Sequence, residues 1–163
     1  MAEKCPREGP SAVRGTSTVS LSLPWWRADV GAVLRMQAGV RKCYPGIKKS
    51  KSRRRLSYTL DLEVPCYETR CVTIIFNARY AATGVRVFAD GPTSSRHRYE
   101  DGSLCMWHPD DPPELRWKPE DSLADLIEMV RRHLFREAYW REKDKWLGPE
   151  VHLDGESKDG GEV

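Results

Sequence analysis

The run His97-Arg-Tyr-Glu-Asp-Gly-Ser-Leu-Cys105 places a thiol eight residues after an imidazole, with Asp101-Gly102 between them. A thiolate is a good nucleophile and a thiol a good leaving group, so one sulfur can accept an acyl chain and later release it. Asp-Gly suits a tight turn that lets another backbone approach closely. A lone Cys is most often a small buried hydrophobe. The irregular setting of Cys105 separates it from Cys71 in a strand, Cys66 beside Pro65, Cys43 at a helix end and Cys5 near the start of the chain. His97 has three possible roles: to pin the loop, to donate a hydrogen bond to an oxyanion, or to take the proton of an incoming amine. His108 is a second imidazole close to the thiol. Cys105, His97 and His108 match no zinc spacing, and neither a metal nor a cofactor is expected. No Gly-rich phosphate loop or Gly-x-Ser-x-Gly elbow is present, so any ATP-dependent activation falls to a separate protein.

These residues need a scaffold, and the pattern on either side supplies one. Pro24 opens an expected first helix with Trp25, Val30, Val33, Leu34 and Val40 on its apolar face, stopped by Tyr44-Pro45-Gly46. Leu56, Tyr58, Leu60, Leu62 and Val64 then alternate with polar residues, the period of a half-buried strand. Further strands are expected over Cys71–Asn77 and Val85–Ala89, giving a three-stranded antiparallel meander. From Asp90 to Pro119 the chain is irregular, and loops of that length usually carry function. Asp121 or Ser122 caps a final helix whose stripe of Leu123, Leu126, Ile127, Val130 and Leu134 would lie on the sheet. Trp117 is expected to pack the loop against that helix. The fold class is α+β, with helices packed on one antiparallel sheet.

Residues 1–20 and 154–163 are rich in Gly and charge and read as flexible tails around a single domain, 21–153. The net charge of +3 argues for no particular partner. Six basic residues fall within Lys48–Arg55 and read as a solvated turn, with docking of an acidic partner as the alternative. No aromatic residue interleaves them, so nucleic-acid binding is not indicated. Five cysteines without a Cys-x-x-Cys pair argue against a disulfide framework. The absence of an apolar leader and of any long apolar run suggests a cytoplasmic protein that does not enter a membrane.

The order His97, Asp101-Gly102, Cys105, Trp117-Lys-Pro119, helix resembles the active-site stretch of ubiquitin-conjugating enzymes over roughly residues 55–152. That resemblance implies a ubiquitin-conjugating (UBC)-like fold and an acyl group carried as a thioester on Cys105. It also implies that His97 stands where the family places the Asn of its His-Pro-Asn element, an oxyanion and loop support. Two departures, the missing Pro-Asn and a longer stretch before Trp117, set the chain apart from the eukaryotic enzymes. It is more similar to the stand-alone conjugating proteins of bacterial cyclic-oligonucleotide-based antiphage signalling (CBASS) operons. The matching residues are His97, Tyr99, Gly102, Leu104 and Cys105, then Trp117 and Pro119, then Tyr139-Trp140-Arg141, then Trp146, Gly148, Glu150 and His152. The resemblance implies a partner, a cGAS/DncV-like nucleotidyltransferase ending in Gly, whose C-terminus would be transferred to an amine to prime defence. The alternative is a catalytically inert UBC fold acting as adaptor or scaffold.

Overall fold

The alternation after Arg55 forms a strand whose apolar members all turn to one side. The computed structural model of the protein describes residues 23–77, 84–107 and 111–148. Its strands are β1 (Lys48–Lys51), β2 (Arg55–Leu62), β3 (Arg70–Asn77) and β4 (Val85–Ala89), an antiparallel meander in sequence order. The register opposes Leu56 to Phe76, Tyr58 to Ile74 and Leu60 to Val72, then Phe76 to Val85 and Ile74 to Val87. Residues directly opposed across a ladder share a face. This register therefore gathers eight apolar side chains on one side, none more than 4% exposed.

Against that face lies α4 (Leu123–Lys143), where the whole expected stripe from Leu123 to Leu134 is buried. Of the two cap candidates Ser122 is the one used. Its hydroxyl accepts from the Asp125 N–H, and its own N–H donates to the Asp125 carboxylate, a reciprocal capping box. Trp117 is buried as expected; its Nε1 donates to the Ser122 carbonyl at 3.0 Å, fastening the end of the long loop to the helix start. Phe76 sits at the centre of an aromatic cluster, with the rings of Trp25, Trp26, Tyr58 and Trp117 between 5.4 and 6.4 Å away.

Two expectations are corrected. The first helix is three short pieces, α1 (Trp25–Ala28), α2 (Val30–Met36) and α3 (Val40–Cys43). Asp29 is extended and accepts from the Ala32 N–H at 2.8 Å, ending one piece and capping the next. Gly39 takes a left-handed backbone at φ 74° before the third. Each break resets the helical phase, so the buried face is Trp26, Val33, Met36 and Val40, while Val30 and Leu34 are 60% and 65% exposed. The first half of the basic stretch is likewise a strand: β1 exposes all four side chains and is held by backbone pairing to β2 and by a hydrogen bond from Lys49 Nζ to the Gln37 side-chain oxygen at 3.0 Å, and the turn follows it. An edge strand with no buried face leaves no apolar period to read.

The fold is α+β and UBC-like, as expected. Between Asp90 and Pro119 the described residues include only a one-turn 3-10 helix (Pro113–Leu115) and an isolated bridge between Arg98 and Leu104. Among the described residues no helix is long and apolar enough to cross a membrane. Both expected tails lie outside them.

Candidate active site

The bridge between Arg98 and Leu104 is the middle of a small hairpin that brings His97 and Cys105 together. The Cys105 N–H donates to the His97 carbonyl at 2.9 Å and the Tyr99 N–H to the Ser103 carbonyl at 2.9 Å. His97 and Cys105 thus stand next to each other across the hairpin, one residue outside the bridge. A three-residue loop joins the arms. Gly102, at φ 81°, donates its N–H to Tyr99, and the Asp101 carboxylate accepts from the Ser103 N–H at 2.9 Å and hydroxyl at 2.6 Å. The expected tight turn at Asp101-Gly102 is present, but for a different reason. A Cβ on Gly102 would meet nothing within 4 Å, so the left-handed backbone, and no close approach, calls for glycine. Cys105 is half-buried, its Sγ 4.0 Å from the Trp107 carbonyl oxygen.

The hairpin is seated on the outer edge of β4. The Leu104 N–H donates to the Val87 carbonyl at 2.8 Å, and Arg98 Nη1 donates to the carbonyls of Ala89 (3.2 Å) and Gly102 (3.4 Å). The other end of the Arg98 guanidinium crosses to α4. Nε and Nη2 each donate to one oxygen of Glu137 at 3.0 Å, a bidentate pair with side chains 4% and 0% exposed. His133 and Arg141, one turn before and after Glu137 on the helix, approach the same carboxylate at 3.8 and 3.6 Å. Burial alone would push the Glu137 carboxyl up. The nearby His133 imidazole, the Arg98 guanidinium and the Ser95 side chain outweigh it and hold the group at about 2.

A depressed carboxylate pKa adds stability that is complete above the unfolded value and disappears as pH falls through the folded one. For Glu137 that window runs from 4.5 down to about 2. Acid titration of the melting temperature should show a loss across this range that the Glu137→Gln variant lacks. Parallel curves for the two proteins would refute the assignment.

His97 is fixed as well as placed. Its ring lies on Trp146, centroids 3.9 Å apart and planes 33° apart, with His133 edge-on at 6.4 Å. Its backbone N–H donates to the Ser95 hydroxyl at 3.2 Å. His108, Glu150 and His152 lie outside the described residues. Among the described residues no three His, Cys, Asp or Glu side chains converge as a metal site. Arg98, His133 and Glu137 escaped the sequence reading. Their one visible signal is the i, i+4, i+8 spacing of His133, Glu137 and Arg141 along one helix line.

A family model described as Type II CBASS E2 protein matches residues 36–153, a span that contains the sheet, the His97–Cys105 hairpin and α4. No curated protein matches the chain.

Proposed function

The chain belongs to the Type II CBASS E2 family, and from that premise we propose that Cys105 is the nucleophile of an acyl transfer. It is an E2-like protein that acts with other products of a CBASS antiphage operon. In the proposed reaction the Cys105 thiolate attacks the activated C-terminal carbonyl of a partner and expels the activating group, leaving a thioester. An amine of the target then attacks that carbonyl; an amide forms, the C–S bond breaks, and the thiol is regenerated. The partner is a cGAS/DncV-like nucleotidyltransferase with a C-terminal Gly, and a separate protein supplies activation.

The observation that carries this reading is the mounting of Cys105. A half-buried thiol stands on a hairpin hydrogen-bonded to a sheet edge on one side and clamped to a helix by a buried ion pair on the other. A positioned nucleophile needs such a frame. Incubating the protein with the operon's nucleotidyltransferase, the activating protein and ATP should give an adduct that thiol reductant cleaves. No adduct under those conditions would favour the inert adaptor.

His97 supports the reaction in this scheme without acting as its base. Its stack on Trp146 holds the ring as a brace, and an amide can donate a similar hydrogen bond to the oxyanion. Discharge of preloaded protein to an amine should therefore change little in His97→Asn. A drop of roughly 10²–10⁴-fold, with loading and melting temperature unchanged, would instead make His97 the base.

A further inference from the structure

Beyond α4 the chain turns back over the hairpin. Asp144, the C-cap of that helix, takes a left-handed backbone at φ 51°, and its N–H donates to the Trp140 carbonyl at 2.7 Å. Aspartate tolerates this conformation better than most residues, and the turn delivers Trp146 to His97. Among the described residues no other aromatic pair comes so close: 3.9 Å between ring centroids, against 5.4 Å for the next. His133, buried on α4, meets the His97 ring edge-on, and Trp146 meets His133 at 5.6 Å. The His97 imidazole thus has an indole on its face and a second imidazole at its side. Inside this box its Nε2 is buried. Nδ1, bonded to Cγ beside the backbone, is then the ring nitrogen that can serve a carbonyl at Cys105 without the ring leaving its stack. The amide nitrogen of an asparagine is likewise bonded to Cγ and falls where Nδ1 stands. That of a glutamine lies one bond further out and falls where Nε2 stands.

We propose that Trp146 is a positioning residue of the acyl transfer: its indole holds the His97 ring with Nε2 inward, so that Nδ1–H donates to the oxyanion formed when an amine attacks the acyl carbonyl on Cys105. The proposal rests on the reading of Cys105 as the nucleophile. A donor contributes to such a step only when it is already aimed at the place where charge develops. Trp146 is half-buried and stands outside the apolar core, so its replacement should leave the fold standing while freeing the ring to turn.

Single-turnover discharge of preloaded protein to an amine tests this, with loading of Cys105 and the melting temperature measured alongside. In Trp146→Ala discharge should fall roughly 10–100-fold, the scale of a misplaced donor, with loading unchanged. Trp146→Phe keeps a stacking ring and should recover most of the loss, whereas Trp146→Leu, apolar but without a π face, should not. Should Trp146→Ala lose its fold, the contrast between Phe and Leu carries the same test. His97→Gln should lose as much as Trp146→Ala, and His97→Asn little. In the His97→Asn background Trp146→Ala should cost less than about threefold, because the ring through which the indole acts is gone. The proposal is overturned if Trp146→Ala costs the same in both backgrounds, if Trp146→Leu matches Trp146→Phe, or if His97→Gln matches His97→Asn. Each of those results comes with Cys105 loaded and leaves its assignment untouched. A wild type that never loads would instead sink the Cys105 reading, and this one with it.

Discussion

Cys105→Ala should form no reducible adduct with the partner's C-terminus, and transfer to the amine should fall to background. Cys105→Ser should instead form an oxygen ester that survives the reductant. The contrast follows from the leaving group, because thiols cleave thioesters and leave oxygen esters intact. Neither change should disturb the frame. Position 105 is held by its backbone bond to His97 and, through its neighbour Leu104, by the bond to Val87 of β4, and the side chain is only half-buried. A stability change within about 1 kcal/mol is expected for such a site. Gels with and without reductant, alongside melting curves, read both quantities. An adduct that persists in Cys105→Ala would remove Cys105 from the mechanism.

The second large effect belongs to a residue that performs no chemistry. Arg98→Ala leaves Glu137 buried with its bidentate partner gone. Breaking a buried pair from one side costs about 3–5 kcal/mol, since the remaining charge keeps its desolvation penalty. For a domain of this size that corresponds to a fall in melting temperature of roughly 6–20 °C. His133 and Arg141 still face the carboxylate and should place the loss toward the lower end. Arg98→Met combined with Glu137→Leu removes both charges and should recover much of it, because apolar replacements of a buried pair are often neutral. Strict additivity of the single changes would show that the two side chains do not act together. Hydrogen exchange in Arg98→Ala should speed up most at the amides of Tyr99, Leu104 and Cys105, whose bonds build and seat the hairpin.

The parts of this protein legible in its sequence are those with an unbroken period. Strands β2 to β4 and α4 repeat apolar residues at two and at three to four, and the structure places the bounds of each within two residues of those expected. The Asp101-Gly102 turn was legible because its chemistry is local. The N-terminal helices were misread because Asp29 and Gly39 shift the phase inside what looks like one apolar run. The Glu137 clamp was hidden for the opposite reason. Apolar periodicity on α4 ends at Leu134, yet burial continues through Glu137 and Ala138, because a guanidinium 39 residues earlier arrives to pair the carboxylate. Periodicity finds faces that bury carbon; it is blind to faces that bury charge against a distant partner.

The seating of the hairpin on β4 also bears on self-association. An open sheet ends in two rows of unpaired backbone groups, each a template for another chain. The lysines of β1 deter pairing at one border by charge. At the other border Leu104 and Arg98 already occupy the outward carbonyls of Val87 and Ala89. The segment that bears the thiol is thus also the guard of that border, so damage that loosens it opens the sheet to self-association. Variants of this loop selected for inactivity should for that reason include some that fail by precipitating, with their thiol chemistry intact.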